Sequence, residues 1–242
     1  MKRMYIFVLL SIALLFLEAT KVVLIIDPPY SEVANEKNIS HYIMSKIMDK
    51  LEINAEYEYT THSRAMQMID EGIDAVFFPY KKPRLISNRI LLSDTLYIAS
   101  HTVFYDSRVL GGFEVNSLND LKEYVVGSHG SYSREIDLRR AGLTVHYSNN
   151  NSESMEKMLN GDLSVVTEDK IKGLMIIIEL DSENKQYIKY LDTQLFPEPL
   201  FAIAPVNNEA AADIIYRINE LIQEEDFLKE IINEFYTFIF TP

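Results

Sequence analysis

The chain has no cysteine, no tryptophan and only eight glycines among its 242 residues. Without cysteine there is no disulfide framework, no thiol nucleophile and no lipid-modified cysteine at a processing site. No glycine-rich nucleotide loop is present, and the five histidines show no metal-ligand spacing such as His-Glu-x-x-His. Gly127-Ser128-His129-Gly130-Ser131 is not a Gly-x-Ser-x-Gly nucleophile elbow. Cationic side chains are scarce as well: 23 Lys and Arg stand against 36 Asp and Glu, a formal net charge of −13. A chain this acidic, with no extended basic run, lacks the footprint that phosphate contacts require, so a nucleic-acid partner is not expected. The excess acid favours solubility. It does not exclude small anionic ligands, which answer to local groups.

No apolar run reaches the roughly 20 residues of a membrane-spanning helix. The longest, Met4 to Leu17, follows Lys2 and Arg3 and ends at Leu17-Glu18-Ala19. A positive n-region, an apolar core and a small residue in that order read as a signal peptide, here residues 1–20, cleaved to start the mature chain at Thr20 or Lys21. A periplasmic protein is expected, and removing Lys2, Arg3 and Glu18 leaves 21 basic against 35 acidic side chains.

The remaining chain, about 220 residues, is long for one lobe and suits two modest ones. An internal echo agrees. Ala65 to Val76 and Met155 to Val166 align with Met68 on Met158, Ile69 on Leu159, Ile73 on Leu163 and Val76 on Val166. Each copy reads as a short helix, a glycine-containing turn and a buried strand. Around them, strands and helices alternate. The first part reads as strand Lys21 to Ile26, a Pro28-Pro29 loop, helix Ile39 to Leu51 from Ile39, Ile43, Ile47 and Leu51, strand Ala55 to Tyr59, a helix capped by Ser63, and strand Asp74 to Phe78. Thr95 to Asp106 reads as a long crossing segment. A second unit follows, with strands at Tyr124 to Gly127, Thr144 to Tyr147 and Leu163 to Val166, and helices at Ser131 to Arg140, Ser152 to Asn160 and Glu168 to Leu180. Leu200 to Pro205 reads as a return strand before two final helices. The order predicts an α/β protein with mostly parallel sheets.

Pro28-Pro29-Tyr30, Ser63-Arg64-Ala65, Gly72-Ile73-Asp74-Ala75, Lys82-Pro83-Arg84, Leu92 to Leu96, Leu118 to Leu121 with Val126-Gly127, Gly130-Ser131-Tyr132 and Met158 to Gly161 occur in an order that resembles extracellular solute-binding protein family 3. The resemblance covers Lys21 to Phe238. It implies the two-lobed type II periplasmic binding protein fold, each lobe a mostly parallel sheet flanked by helices, with two crossover strands as a hinge. Lobe one would be 21–104 plus 200–242, and lobe two 105–199.

By that resemblance Arg84 would clamp a ligand α-carboxylate, and its planar two-donor fork suits the task; Arg89 is the nearest rival. Ser131, at a strand-to-helix turn, would add a hydroxyl and backbone donors. Asp169 would accept the ligand ammonium, with Glu168 ready to replace it if the register slips by one. Tyr30, Tyr80 and Tyr132 are aromatic candidates for the cleft, although fifteen tyrosines must go somewhere. The chain also departs from the family. His62 stands where many relatives have Trp, and Lys81 where amino-acid binders usually carry Thr. Those two changes alter the side-chain pocket.

The expected function is capture of a small zwitterionic solute, a polar amino acid, with hinge closure, for delivery to an ABC permease in the inner membrane. No cofactor, metal or catalytic activity is implied, and a monomer is expected. Two alternatives stay open: a dehydratase-like enzyme of the same fold, with His62, Asp169 or Glu168 as general acid, and a sensory binding module.

Overall fold

A computed structural model describes residues 19–32, 38–81, 88–112, 114–128, 132–148, 151–180 and 182–240. Nearly all of the expected signal segment lies outside them. Among the described residues no helix is long and apolar enough to cross a membrane. The chain divides into two units. One takes in the described residues through Tyr97 together with those from Pro199 onward; the other runs from Ile98 to Glu198.

In the first unit, β1 (Thr20–Ile25) pairs in parallel with β2 (Ala55–Thr60) and β3 (Ala75–Lys81), in register Val22 to Tyr57 and Val22 to Val76. The last four residues of β1 are buried without alternation, as a strand covered on both faces must be. β4 (Ile90–Asp106) begins here, and the far end of β9 (Leu195–Pro205) closes the order β2-β1-β3-β9 by pairing antiparallel to β3, Phe77 opposite Ile203. α1 (Ile39–Lys50) buries Ile39, Ile43 and Ile47, the four-residue spacing seen in the sequence, together with Met44 and Met48. Its N-cap Asn38 accepts the amide of His41 at 2.8 Å. α2 (His62–Asp70) is capped by Thr61, two residues before the expected Ser63: Thr61 Oγ1 accepts from the Arg64 amide at 3.4 Å. Two later helices of the chain complete the unit, Glu209–Leu221 and Phe227–Phe240.

In the second unit, β5 (Val125–Ser128) pairs in parallel with β6 (Thr144–Tyr147) and β7 (Val165–Asp169), and β7 pairs antiparallel with β4. A short β8 (Ile188–Tyr190), not anticipated from sequence, also pairs with β4. α3 (Tyr132–Arg140), α4 (Asn151–Leu159) and α5 (Lys170–Glu179) alternate with these strands, and α6 and α7 are the two C-terminal helices of the first unit. Strand β7 runs three residues beyond the expected Val166, so the helix begins at Lys170 and not at Glu168. The reason is pairing: Thr102 and His101 of β4 hold Glu168 and Asp169 in the ladder.

The sequence echo corresponds to a shared local structure. α2 and α4 each end in a glycine with positive φ, Gly72 at +69° and Gly161 at +84°. In both, the amide after the glycine reaches back five residues and the glycine amide reaches back three: Ile73 to Met68 (3.0 Å) and Gly72 to Ile69 (3.0 Å), Asp162 to Lys157 (2.9 Å) and Gly161 to Met158 (3.1 Å). This is the Schellman closure, which satisfies the last helical carbonyls and turns the chain into a strand. Met68, Ile69 and Phe77 then enter the core of the first unit with Val23, Ile25 and Ile203; Met158, Leu163 and Val166 enter a core of the second with Phe104 and Ile176.

Candidate functional site

In open parallel sheets, ligand groups collect beyond the carboxyl ends of the strands, because the loops there carry unpaired backbone groups and helix N-termini. The first unit puts three of the candidate residues at that end. β1 runs out into Asp27, whose backbone exchanges hydrogen bonds with Ser31 (3.1 Å each way) and accepts from the Tyr30 amide (2.9 Å). This tight loop turns Tyr30 inward, where it is buried beside Tyr97 at 6.1 Å between ring centroids. β3 ends at Tyr80 and Lys81. Tyr80 is buried, and its hydroxyl pKa is raised by that burial. His62, the first residue of α2, stacks on Tyr80 with centroids 6.1 Å apart and planes 12° from parallel.

Lys81 meets two partners. Its Nζ lies 3.0 Å from Asp27 Oδ2 and 5.8 Å from the centre of the Tyr30 ring. Together Ile25, Ile26, Asp27, His62, Pro79 and Lys81 line a cavity of about 220 Å³. Arg84 lies outside the described residues. Its rival Arg89 is held elsewhere, with its guanidinium 2.8 Å from Asp70 Oδ1. Asp70 closes α2 beside the start of β3, so Arg89 belongs to the amino end of that strand and not to the end carrying Lys81.

In the second unit, the carboxyl ends of β5 and β7 carry Ser128, Glu168 and Asp169, all buried. Asp169 is the N-cap of α5, its Oδ1 accepting the Lys172 amide at 3.0 Å. Glu168 Oε1 accepts the Asp169 amide at 2.9 Å, and its Oε2 lies 3.5 Å from Lys172 Nζ. Burial pushes the Glu168 carboxyl up to about 7, against the pull of the Lys172 charge. Ser128 Oγ is fully buried and has no hydrogen-bond partner among the described residues. Nearby, the Ser148 amide donates to the Ser128 carbonyl at 3.2 Å and Ser154 Oγ donates to Ser148 Oγ at 2.8 Å. Ser131 lies outside the described residues; Tyr132 opens α3, but its side chain is not among those described.

Sequence reasoning noticed Lys81 only as a departure and passed over Asp27 and His101. Asp27 carried a legible signal, being the first polar residue beyond an apolar strand. His101 did not: its cross-strand position opposite Asp169 depends on the β4–β7 register. Among the described residues, no group of three or more His, Asp or Glu is arranged to hold a metal ion.

Neither the protein-family models nor the curated proteins compared with this chain match it. Solved structures do. Substrate-binding domain 2 of Lactococcus lactis GlnP, in an open conformation, aligns with a TM-score of 0.66 at 13% identity, over 90% of this chain and 94% of that one. The second substrate-binding domain of a putative amino acid ABC transporter from Streptococcus pneumoniae aligns with a TM-score of 0.65 at 13% identity, over 90% and 99%. The GluR0 ligand-binding core, in complex with L-glutamate, gives 0.58 at 14% identity, over 90% and 98%.

Proposed function

For a chain with the fold of the two-lobed periplasmic binding proteins, we propose the role of a periplasmic solute-binding protein. It captures a small zwitterionic solute, a polar amino acid, and hands it to an ABC importer. The observation that carries this reading is the gathering of polar side chains at the carboxyl ends of the parallel strands in each unit: Asp27, His62 and Lys81 in the first, Ser128 and Asp169 in the second. Asp169 supplies the carboxylate for the solute ammonium, the natural partner of a desolvated cation. Arg84 supplies the fork for its α-carboxylate, and Ser131 with the start of α3 supplies further donors. Tyr30, Tyr80 and Tyr132 provide aromatic surface.

A solute that binds only the folded protein raises its melting temperature by mass action, by an amount that grows with concentration over Kd. A thermal-shift screen of the purified protein against amino acids, dipeptides and organic acids is expected to give a concentration-dependent rise with a polar amino acid. A flat response across all amino acids overturns the reading.

Glu168, with its pKa near neutrality, is the one observation favouring a dehydratase-like enzyme, since a general acid works best near the ambient pH. Its geometry favours binding: both carboxylate oxygens already face groups of their own strand and helix, and the side chain is sealed from solvent. Turnover of prephenate-type acids by the purified protein would reverse this preference.

A further inference from the structure

We propose that the groove between α1 and α7 is a docking surface for a partner protein, which lays into it an amphipathic helix carrying Lys or Arg beside apolar side chains. None of the groove residues belongs to the candidate solute site, so this surface stands apart from the binding reading. Tyr42 of α1 and Glu230, Asn233, Glu234, Thr237 and Phe238 of α7 line a space of about 580 Å³. The α7 residues form one stripe, because side chains three and four apart share a helix face. Phe238 is 53% exposed, and its ring lies 6.1 Å from that of Tyr42 with the planes 22° apart. The core does not need this ring: Ile231 and Phe235 already fill the inner side of α7. Exposed apolar surface rimmed by polar groups marks an interaction site, and a groove between two helices suits the apolar face of a third.

The charge on the rim selects the occupant. Glu234 meets Lys46 Nζ at 2.8 Å, and the same ammonium lies 5.3 Å from the centre of the Tyr42 ring. Lys46 thus shows what the groove holds, a cation set between a carboxylate and an aromatic face. One turn away, Glu230 offers a second carboxylate; it is exposed and its side chain has no hydrogen bond or ion pair among the described residues. A second copy would bring a chain of net charge −13 against this acidic rim. An anionic lipid surface is repelled for the same reason. A helix bearing Lys or Arg instead gains attraction from Glu230 and covers the Tyr42 and Phe238 rings with its apolar side chains.

The probe is a fluorescein-labelled peptide of leucine and lysine, leucines on one face, of about 18 residues so that it holds a helix. Its anisotropy is expected to rise saturably with the purified protein, and the analogue with glutamate for lysine should give no rise. Phe238→Ser and Glu230→Lys are each expected to weaken binding by about tenfold. Glu183→Lys, the same charge change at an exposed position of the second unit, should cost less than about threefold, since distant surface charges are screened. Should a variant fail to fold, Phe238→Trp decides: the chain has no other tryptophan, and its emission must shift when the peptide binds. Equal losses for Glu230→Lys and Glu183→Lys, undiminished binding by Phe238→Ser or a silent Phe238→Trp overturns the docking surface. So does a peptide-free dimer that Phe238→Ser dissolves, which would give the groove to a second copy, or adhesion to phosphatidylglycerol vesicles that Phe238→Ser abolishes, which would give it to a membrane.

Discussion

At the end of β7, Glu168 is 3% exposed and its carboxyl titrates near 7 and not near 4.5. The folded state therefore holds a proton that the unfolded chain releases, and across pH 4.5 to 7 the native protein binds more protons than the unfolded one. Stability should fall as pH rises through that window, by up to about 3 kcal/mol from this group, and be free of the penalty below it. Urea unfolding at pH 5 and pH 8 checks this: Glu168→Gln is expected to flatten the difference, and an unchanged slope would show that burial does not control the group. Its neighbour calls for a different substitution. Asp169→Asn keeps an oxygen for the Lys172 amide, so the α5 cap survives. The loss should appear in binding, larger for amine-bearing solutes than for amine-free acids, and equal losses for both would remove Asp169 from the ammonium role. Arg84→Ala should weaken amino-acid binding by about 2–5 kcal/mol, roughly 30-fold to several thousand-fold, with the melting temperature of the empty protein unchanged; a loss under threefold by calorimetry ends the clamp. At this scale sequence was informative about residue type and silent about partnership. That Asp27 follows an apolar strand can be read along the chain, but its pairing with Lys81, fifty-four positions on, exists only because β1 and β3 run side by side.

Elements were legible where a local pattern decides them. The spacing of Ile39, Ile43 and Ile47 determines the buried face of α1, and the repeated helix-glycine-strand phrase marks both α2–β3 and α4–β7. Boundaries were not legible where a non-local ladder decides. β7 outlasts its apolar run because β4 pairs with it as far as Asp169, β4 starts at Ile90 and not at Thr95, and three-residue β8 is too short to show a period. The two Schellman turns allow a controlled comparison. Both glycines have left-handed φ, so replacement by alanine costs about 1 kcal/mol in each from backbone strain. At Gly161 an added Cβ meets open space, whereas at Gly72 it comes within 2.9 Å of the Asn207 side chain. Gly72→Ala should therefore destabilise more than Gly161→Ala in denaturant unfolding. Equal losses would mean that Asn207 simply moves aside.

For the molecule as a whole, the divided first unit sets a temporal order. Residues 98–198 form a continuous stretch, and their strands pair within it. The first unit instead needs β9: Phe77 waits for Ile203, and the α1 residue Lys46 finds Glu234 at 2.8 Å only after nearly two hundred further residues. Contacts of such long separation form slowly, because the intervening chain must be closed before they add stability. A nascent chain therefore exposes β3 without its antiparallel neighbour until its last forty residues arrive, and an unpaired, largely apolar strand edge invites association with other chains. In pulsed hydrogen exchange during refolding, amides of β5–β7 are expected to gain protection before those of β1–β3; the opposite order would show that the first unit organises without its return strand. The unfinished chain is thus open to association through β3 while it is being made, and a holding factor for that form would act on this strand.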